Sequence, residues 1–191
     1  FLEDPEGYAE RIYLDLSDGD DPETWIPLNG GEPVLASHLG TTGARDPHLT
    51  CNPQTGTYYI LATDLRVFGG DGLGWEGWSH GYSTRMNVWE SRDLVTWSPL
   101  RQIDVALGSD GSPVEGAPEM GMMWAAETTF IEDLHGEGRG GFIVYWTSTV
   151  GDHQIILWGS TTDFTQETFR YGGVLLDQGE DPLGEADLPR V

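Results

Sequence analysis

The chain contains no lysine: all nine of its basic residues are arginine. That excludes a phosphate-loop lysine, a Schiff-base lysine and a Ser-Lys dyad together. Positive charge is scarce altogether. Nine arginines against 32 acidic residues give a formal net charge of −23, with a pI near 4.1. Nucleic acid, whose phosphates need a basic footprint, is excluded as a partner. So is an anionic membrane surface. A neutral polysaccharide or oligosaccharide is compatible with this charge, although acidity of this kind also serves solubility alone. Cysteine is limited to Cys51, so no internal disulfide can form. Lying beside an apolar run, Cys51 reads as a small core residue rather than a nucleophile. No apolar run approaches the roughly 18 residues of a membrane span. The first residues, Phe1-Leu2-Glu3-Asp4-Pro5, lack an initiator methionine and a basic, apolar leader, which suggests a processed or trimmed chain.

Several chemical motifs are missing as well. His38, His48, His80, His135 and His153 show no ligand spacing, so no metal is assigned. Asp15, Asp18, Asp20 and Asp21 cluster without the spacing of a calcium loop and read as a solvated turn. There is neither a Gly-x-Ser-x-Gly elbow nor a Cys-His pairing.

What the chain does have is glycine and tryptophan. With 27 glycines, eight tryptophans and few helix signals, it suits short strands joined by tight turns. Its 191 residues can bury a genuine core. Three segments share one pattern: an apolar-aromatic strand, a serine, an acidic turn, then an aromatic strand. They run Ile12–Gly19 to Trp25, Val88–Leu94 to Trp97, and Leu157–Phe164 to Phe169. Ser17, Ser91 and Ser160 mark a period of about seventy residues, the sign of a modular array. Between them lie two strand pairs, His48–Thr50 with Tyr58–Thr63, and Thr128–Ile131 with Gly141–Thr147. Each period therefore reads as four strands, and four-stranded antiparallel sheets repeated about an axis make an all-β β-propeller. The expected layout is outer strands of a shared blade over 12–28, a full blade over 46–99 and another over 127–171. That is about two and a half blades, where propellers close with four to eight. Residues 1–191 thus read as part of one larger propeller domain, completed by further sequence or by a second chain.

The candidate for chemistry is Arg45-Asp46-Pro47-His48, after the Gly-rich approach Leu39–Ala44 and at the start of a strand. Asp-Pro is a common turn former. A carboxylate fixed by a following proline where a loop enters an inner strand is also well placed for catalysis.

In order along the chain, these stretches resemble glycoside hydrolase family 43. They are Ile12–Ser17 with Trp25 and Leu28–Gly31, Gly43–Pro47 with Tyr58–Leu65, and Val88–Ser98. Trp124-Ala125-Ala126-Glu127 resembles that family's Trp-Ala-Pro-acid motif, with alanine in the place of proline. The resemblance implies a five-bladed propeller, of which residues 1–191 are the N-terminal portion, and inverting hydrolysis of arabinofuranosyl or xylosyl linkages in plant cell-wall polysaccharide. It implies Asp46 as general base, while the general acid and the carboxylate that tunes it are expected beyond Val191. Asp181 and Asp187 are alternative modulators but read as loop acids. No cofactor is required; a structural calcium is compatible with the complete propeller but is supported by no motif here. Secretion is the expected localisation.

Asp64, Trp124 and Glu127 are the expected pocket residues. Trp124 offers an indole face to a sugar ring; Glu127 either contacts a hydroxyl or is a satisfied strand-end acid. Trp75 and Trp78, on the glycine-rich segment Gly69–Trp78, suggest a carbohydrate-contacting rim or a tucked loop. Trp89, Trp97, Trp146 and Trp158 read as core. Two other readings stand beside hydrolysis: a non-catalytic carbohydrate-binding propeller, and a sialidase-like one suggested by Ser91-x-Asp93-x-x-Thr96-Trp97. The scarcity of arginine opposes the latter.

Overall fold

The computed structural model describes residues 10–69, 83–150 and 153–177. They form ten strands. A two-stranded sheet pairs β1 (Asp15–Ser17) with β2 (Trp25–Pro27). A four-stranded sheet follows, with β3 (Arg45–Asn52), β4 (Thr57–Thr63), β5 (Arg85–Ser91) and β6 (Arg101–Asp104) antiparallel in chain order. The second such sheet is β7 (Trp124–Ile131), β8 (Gly141–Val150), β9 (His153–Thr161) and β10 (Arg170–Leu176). Among the described residues, helix is confined to two short 3-10 turns, Leu28–Gly31 and Ala117–Glu119. The architecture is all-β, with each four-stranded meander forming a propeller blade.

Burial explains which stretches became strands. In β4, Tyr59 through Ala62 are all buried, because this sheet is covered on both faces. One face packs Tyr59, Leu61, Met86 and Val88 against Ala126, Phe142, Val144 and Trp146 of the second sheet. The other packs Ile60, Ala62 and Trp89 against Ile12, Leu35 and Leu100. β9 instead alternates, burying Ile155, Leu157, Gly159 and Thr161 while the residues between them are more exposed. That is the period-2 pattern of a sheet with one buried face. Trp89 and Trp146 are core residues, as expected, and Trp97 packs against the second cluster. At the seam between blades, Phe142 meets Tyr59 edge-on at 5.8 Å and Phe164 at 4.6 Å between ring centroids.

β3 runs beside β7, so the first strands of the two blades are neighbours. Polar side chains join them along their length. His48 Nε2 lies 3.1 Å from the Thr128 hydroxyl. The Gln54 amide donates to the carbonyls of Glu132 and Gly138 at 3.0 and 2.9 Å and accepts from the Gly140 N–H at 3.0 Å. Farther out, Arg101 donates to the carbonyls of Asp163 and Phe164. Apolar side chains remain exposed at both ends of the array: Leu16, Trp25 and Ile26 on β1–β2, and Val174, Leu175 and Leu176 on β10.

The period marked by serines needs one adjustment. The residue equivalent to Ser91 is Thr161 rather than Ser160. Ser91 Oγ accepts from the N–H groups of Asp93 and Leu94, and Thr161 Oγ1 accepts from those of Asp163 and Phe164. Leu94 and Phe164 both take positive φ, 63° and 56°. Ser160, one residue earlier and opposite Ile143, presents its side chain on the other face of the strand from Thr161.

Candidate active site

The first strand of each blade is interrupted at the same place. In β3 the register passes from Arg45 opposite Thr63 to His48 opposite Leu61, leaving two residues, Asp46 and Pro47, against one. In β7 it passes from Trp124 opposite Thr147 to Glu127 opposite Tyr145. Asp46 and Ala125 both have φ 48°. The two bulges therefore match Arg45 with Trp124, Asp46 with Ala125, and His48 with Glu127. Left-handed backbone at a residue other than glycine costs roughly 1–3 kcal/mol and survives only where its surroundings enforce it. Such bulges re-aim side chains and recur beside active sites.

The enforcing contacts come from three sides. Arg45 Nη1 pairs with Glu10 Oε1 at 2.7 Å, both side chains buried. Glu10 also accepts the N–H groups of Val67 and Phe68, at 2.8 and 3.3 Å. A buried charge pair is tolerable when further hydrogen bonds satisfy it in this way. Gly43 allows the preceding chain to pass close by, since a Cβ there would stand 2.0 Å from the Leu65 carbonyl oxygen. Finally, the Thr63 hydroxyl donates to Asp46 Oδ2 at 3.2 Å and accepts the Ala125 N–H at 2.9 Å.

Asp46 is half-buried in a cleft of about 270 Å³ between the blades. Arg45, Leu65, Trp124, Ala125, Thr147 and Gln154 complete its described lining. The carboxylate of Asp46 thus shares a small hollow with the tryptophan, threonine, glutamine and apolar residues named, and with Arg45, whose charge is paired with Glu10. This combination suits a neutral polyhydroxylated ligand, with the indole supplying an apolar face. Among the described residues lining the cleft, Asp46 is the sole acid.

A family model described as a probable glycosyl hydrolase domain, related to glycoside hydrolase family 43, matches residues 1–186. The chain belongs to this family. A curated relative, the α-L-arabinofuranosidase of Bifidobacterium longum subsp. longum, is 27% identical over 140 residues. That alignment takes in 73% of this chain and 12% of the relative. Among solved structures, the Bacillus subtilis arabinanase Arb43A is similar at 15% identity and a TM-score of 0.43, over 75% of this chain and 40% of that one. A family-43 β-1,3-galactosidase with galactodeoxynojirimycin is similar at 14% identity and a TM-score of 0.39. There the coverage is 73% of this chain and 38% of the other.

Within this family-43-related chain, Asp46 and Trp124 meet in one cleft, and Asp64 and Glu127 lie outside its lining. Asp64 is buried, with Oδ1 accepting the N–H and hydroxyl of Thr41, each at 2.9 Å, and Oδ2 accepting the Ser83 hydroxyl at 2.6 Å. A Cβ at residue 40 would lie 2.0 Å from Oδ2, so glycine there lets the approach loop close over this acid. Glu127 is exposed on β7 and accepts the Tyr145 hydroxyl at 3.2 Å. Trp75 and Trp78 lie outside the described residues, as do Asp181 and Asp187. Among the described residues, no three His, Cys, Asp or Glu side chains gather to hold a metal ion.

Sequence reasoning missed Thr63, the Glu10–Arg45 pair, Thr147 and Gln154. For Thr147 and Gln154 no local signal exists. Thr63 is the last residue of a plain strand, and its significance comes from Ala125 on another blade. His48 takes part in the seam rather than the cleft. Burial holds its imidazole below the ordinary value of 6.5, with nearby Glu127 pulling the other way.

Proposed function

We propose that the chain supplies the general base of an inverting glycosidase. Supporting this is the carboxylate of Asp46, held on a strained bulge in a cleft shared with the Trp124 indole. Family membership supports glycoside hydrolysis, and the arabinofuranosidase relative supports an arabinofuranosyl substrate, with xylosyl linkages of plant cell-wall polysaccharide as the companion class.

In this reading Asp46 takes a proton from water as that water's oxygen attacks the anomeric carbon. The glycosidic C–O bond breaks on the opposite face, and the leaving oxygen collects a proton from a general acid. Inverting enzymes separate the two carboxyl groups by about 6.5–9.5 Å to admit the water. The acid belongs to the remainder of the propeller, in the same chain or another. Trp124 stacks on the sugar, while Thr147 and Gln154 supply hydrogen bonds to its hydroxyls. Asp64 holds the approach loop that leads to Asp46, and Glu127 borders the substrate path. The complete protein acts outside the cell, on neutral polysaccharide or oligosaccharide, and needs no cofactor for this chemistry.

The reading is tested by giving the complete protein aryl α-L-arabinofuranoside and aryl β-D-xyloside and following the first-formed sugar by proton NMR. The expected product is the inverted anomer. First-formed sugar of retained configuration, or binding without any hydrolysis, would contradict it; the latter would favour a carbohydrate-binding propeller.

A further inference from the structure

Thr63 sits where the two blades meet. It ends β4, pairs with Arg45 on one side and Met86 on the other, and is 1% exposed. A hydroxyl carries one hydrogen and two lone pairs. The Ala125 N–H occupies a lone pair of Oγ1 at 2.9 Å, and the carboxylate oxygen Oδ2 of Asp46 stands 3.2 Å away. A carboxylate only accepts, so the hydroxyl hydrogen goes to Asp46. Burial keeps bulk water from competing, and the β-branched side chain has little torsional freedom. One oxygen atom is thereby bonded to the strained residue of each bulge: Asp46 in the first blade, Ala125 in the second.

We infer that Thr63 is the positioning residue of the proposed base, registering the Asp46 carboxylate against the second blade. The inference rests on the reading of Asp46 as general base. With Oδ2 engaged by Thr63, Oδ1 is the oxygen left to accept the proton of the attacking water. A general base works only within hydrogen-bond reach of that proton, about 2.6–3.2 Å. Displacements on the order of 1 Å cost about a hundredfold in rate. Trp124 precedes Ala125 directly, so the same hydroxyl sets the spacing between the base and the indole proposed to hold the sugar.

The experiment compares Thr63→Val, Thr63→Ser and Thr63→Cys in the complete protein on aryl α-L-arabinofuranoside, with Asp46→Asn alongside. Valine keeps the shape and removes both hydrogen bonds. Its kcat is expected to fall about 10- to 100-fold with KM little changed, the scale of a lost hydrogen bond to a charged group. Serine is expected to stay within about threefold of the parent, and cysteine, a weak donor, to fall about tenfold. Wild-type kcat in Thr63→Val, or equal loss in the serine and valine variants, would overturn the inference. If the valine variant does not fold, the cysteine variant decides: parental kcat there overturns the inference, and a fall beside an active serine variant supports it. A disabled Asp46→Asn beside an unaffected Thr63→Val sinks the Thr63 inference alone, whereas an unaffected Asp46→Asn sinks the reading of Asp46 itself.

Discussion

At the scale of single residues, His48 shows how the seam reports pH. The Thr128 N–H points at His48 Nε2 from 3.3 Å, and an N–H needs an unprotonated acceptor. The fold therefore selects the neutral imidazole, in agreement with a value lowered by burial despite the opposing pull of Glu127. The sign follows: between the lowered folded value and the unfolded 6.5, the unfolded chain binds the extra proton. Stability is thus complete above about 6.5 and declines as pH falls below it. Urea midpoints measured between roughly pH 7.5 and 5.5 are expected to drop, and His48→Gln to flatten that slope. An unchanged slope would remove His48 from the seam. The sequence disclosed His48 only as a neighbour of Asp46, because its partner, Thr128, lies in the other blade.

At the scale of elements, the turn after β9 is organised by Asp163. Oδ1 accepts the Thr165 N–H at 3.1 Å and the hydroxyls of Thr165 and Thr168, both at 2.7 Å. Burial pushes this carboxyl upward, yet the Thr168 and Thr165 hydroxyls, the Thr165 N–H and the charge of Arg101 together outweigh it and hold it below 3.8. Its contribution is present above that value and lost as pH falls through the folded value. Asp163→Ala is expected to cost about 1–3 kcal/mol of stability near neutral pH, measured by urea denaturation, and to soften unfolding at acid pH. The matching turn after β5 uses Ser91 and Asp93 in the same way. These turns, the four-strand repeat and the core tryptophans Trp89 and Trp146 were legible, because alternation and turn chemistry are local; Trp158, also expected in the core, is only half-buried. The exact equivalence of Ser91 with Thr161 was less so, since either hydroxyl at 160 or 161 satisfies a loose pattern and only register decides. The two motifs, Arg45–His48 and Trp124–Glu127, were legible singly, but their equivalence as bulges was not, because only strand register reveals it. That Asp46 corresponds to Ala125 gives the second blade no carboxylate at this position.

At the scale of the molecule, chemistry and architecture point the same way. Inverting hydrolysis needs two carboxyl groups on opposite faces of a sugar, and the described lining of this cleft contributes one. Apolar side chains on β1–β2 and β10 remain exposed at the ends of the array, and further blades of the proposed complete propeller would cover them. The separation of Asp64 from Asp46 was not legible, because adjacent residues at a strand end can be tied to different loops. The central claim is that Asp46 activates water, and turnover of the complete protein carrying Asp46→Asn tests it most directly. The account predicts a kcat on aryl α-L-arabinofuranoside lowered about 10²- to 10⁴-fold, the usual contribution of a positioned base. Parental kcat in a folded Asp46→Asn protein would contradict it.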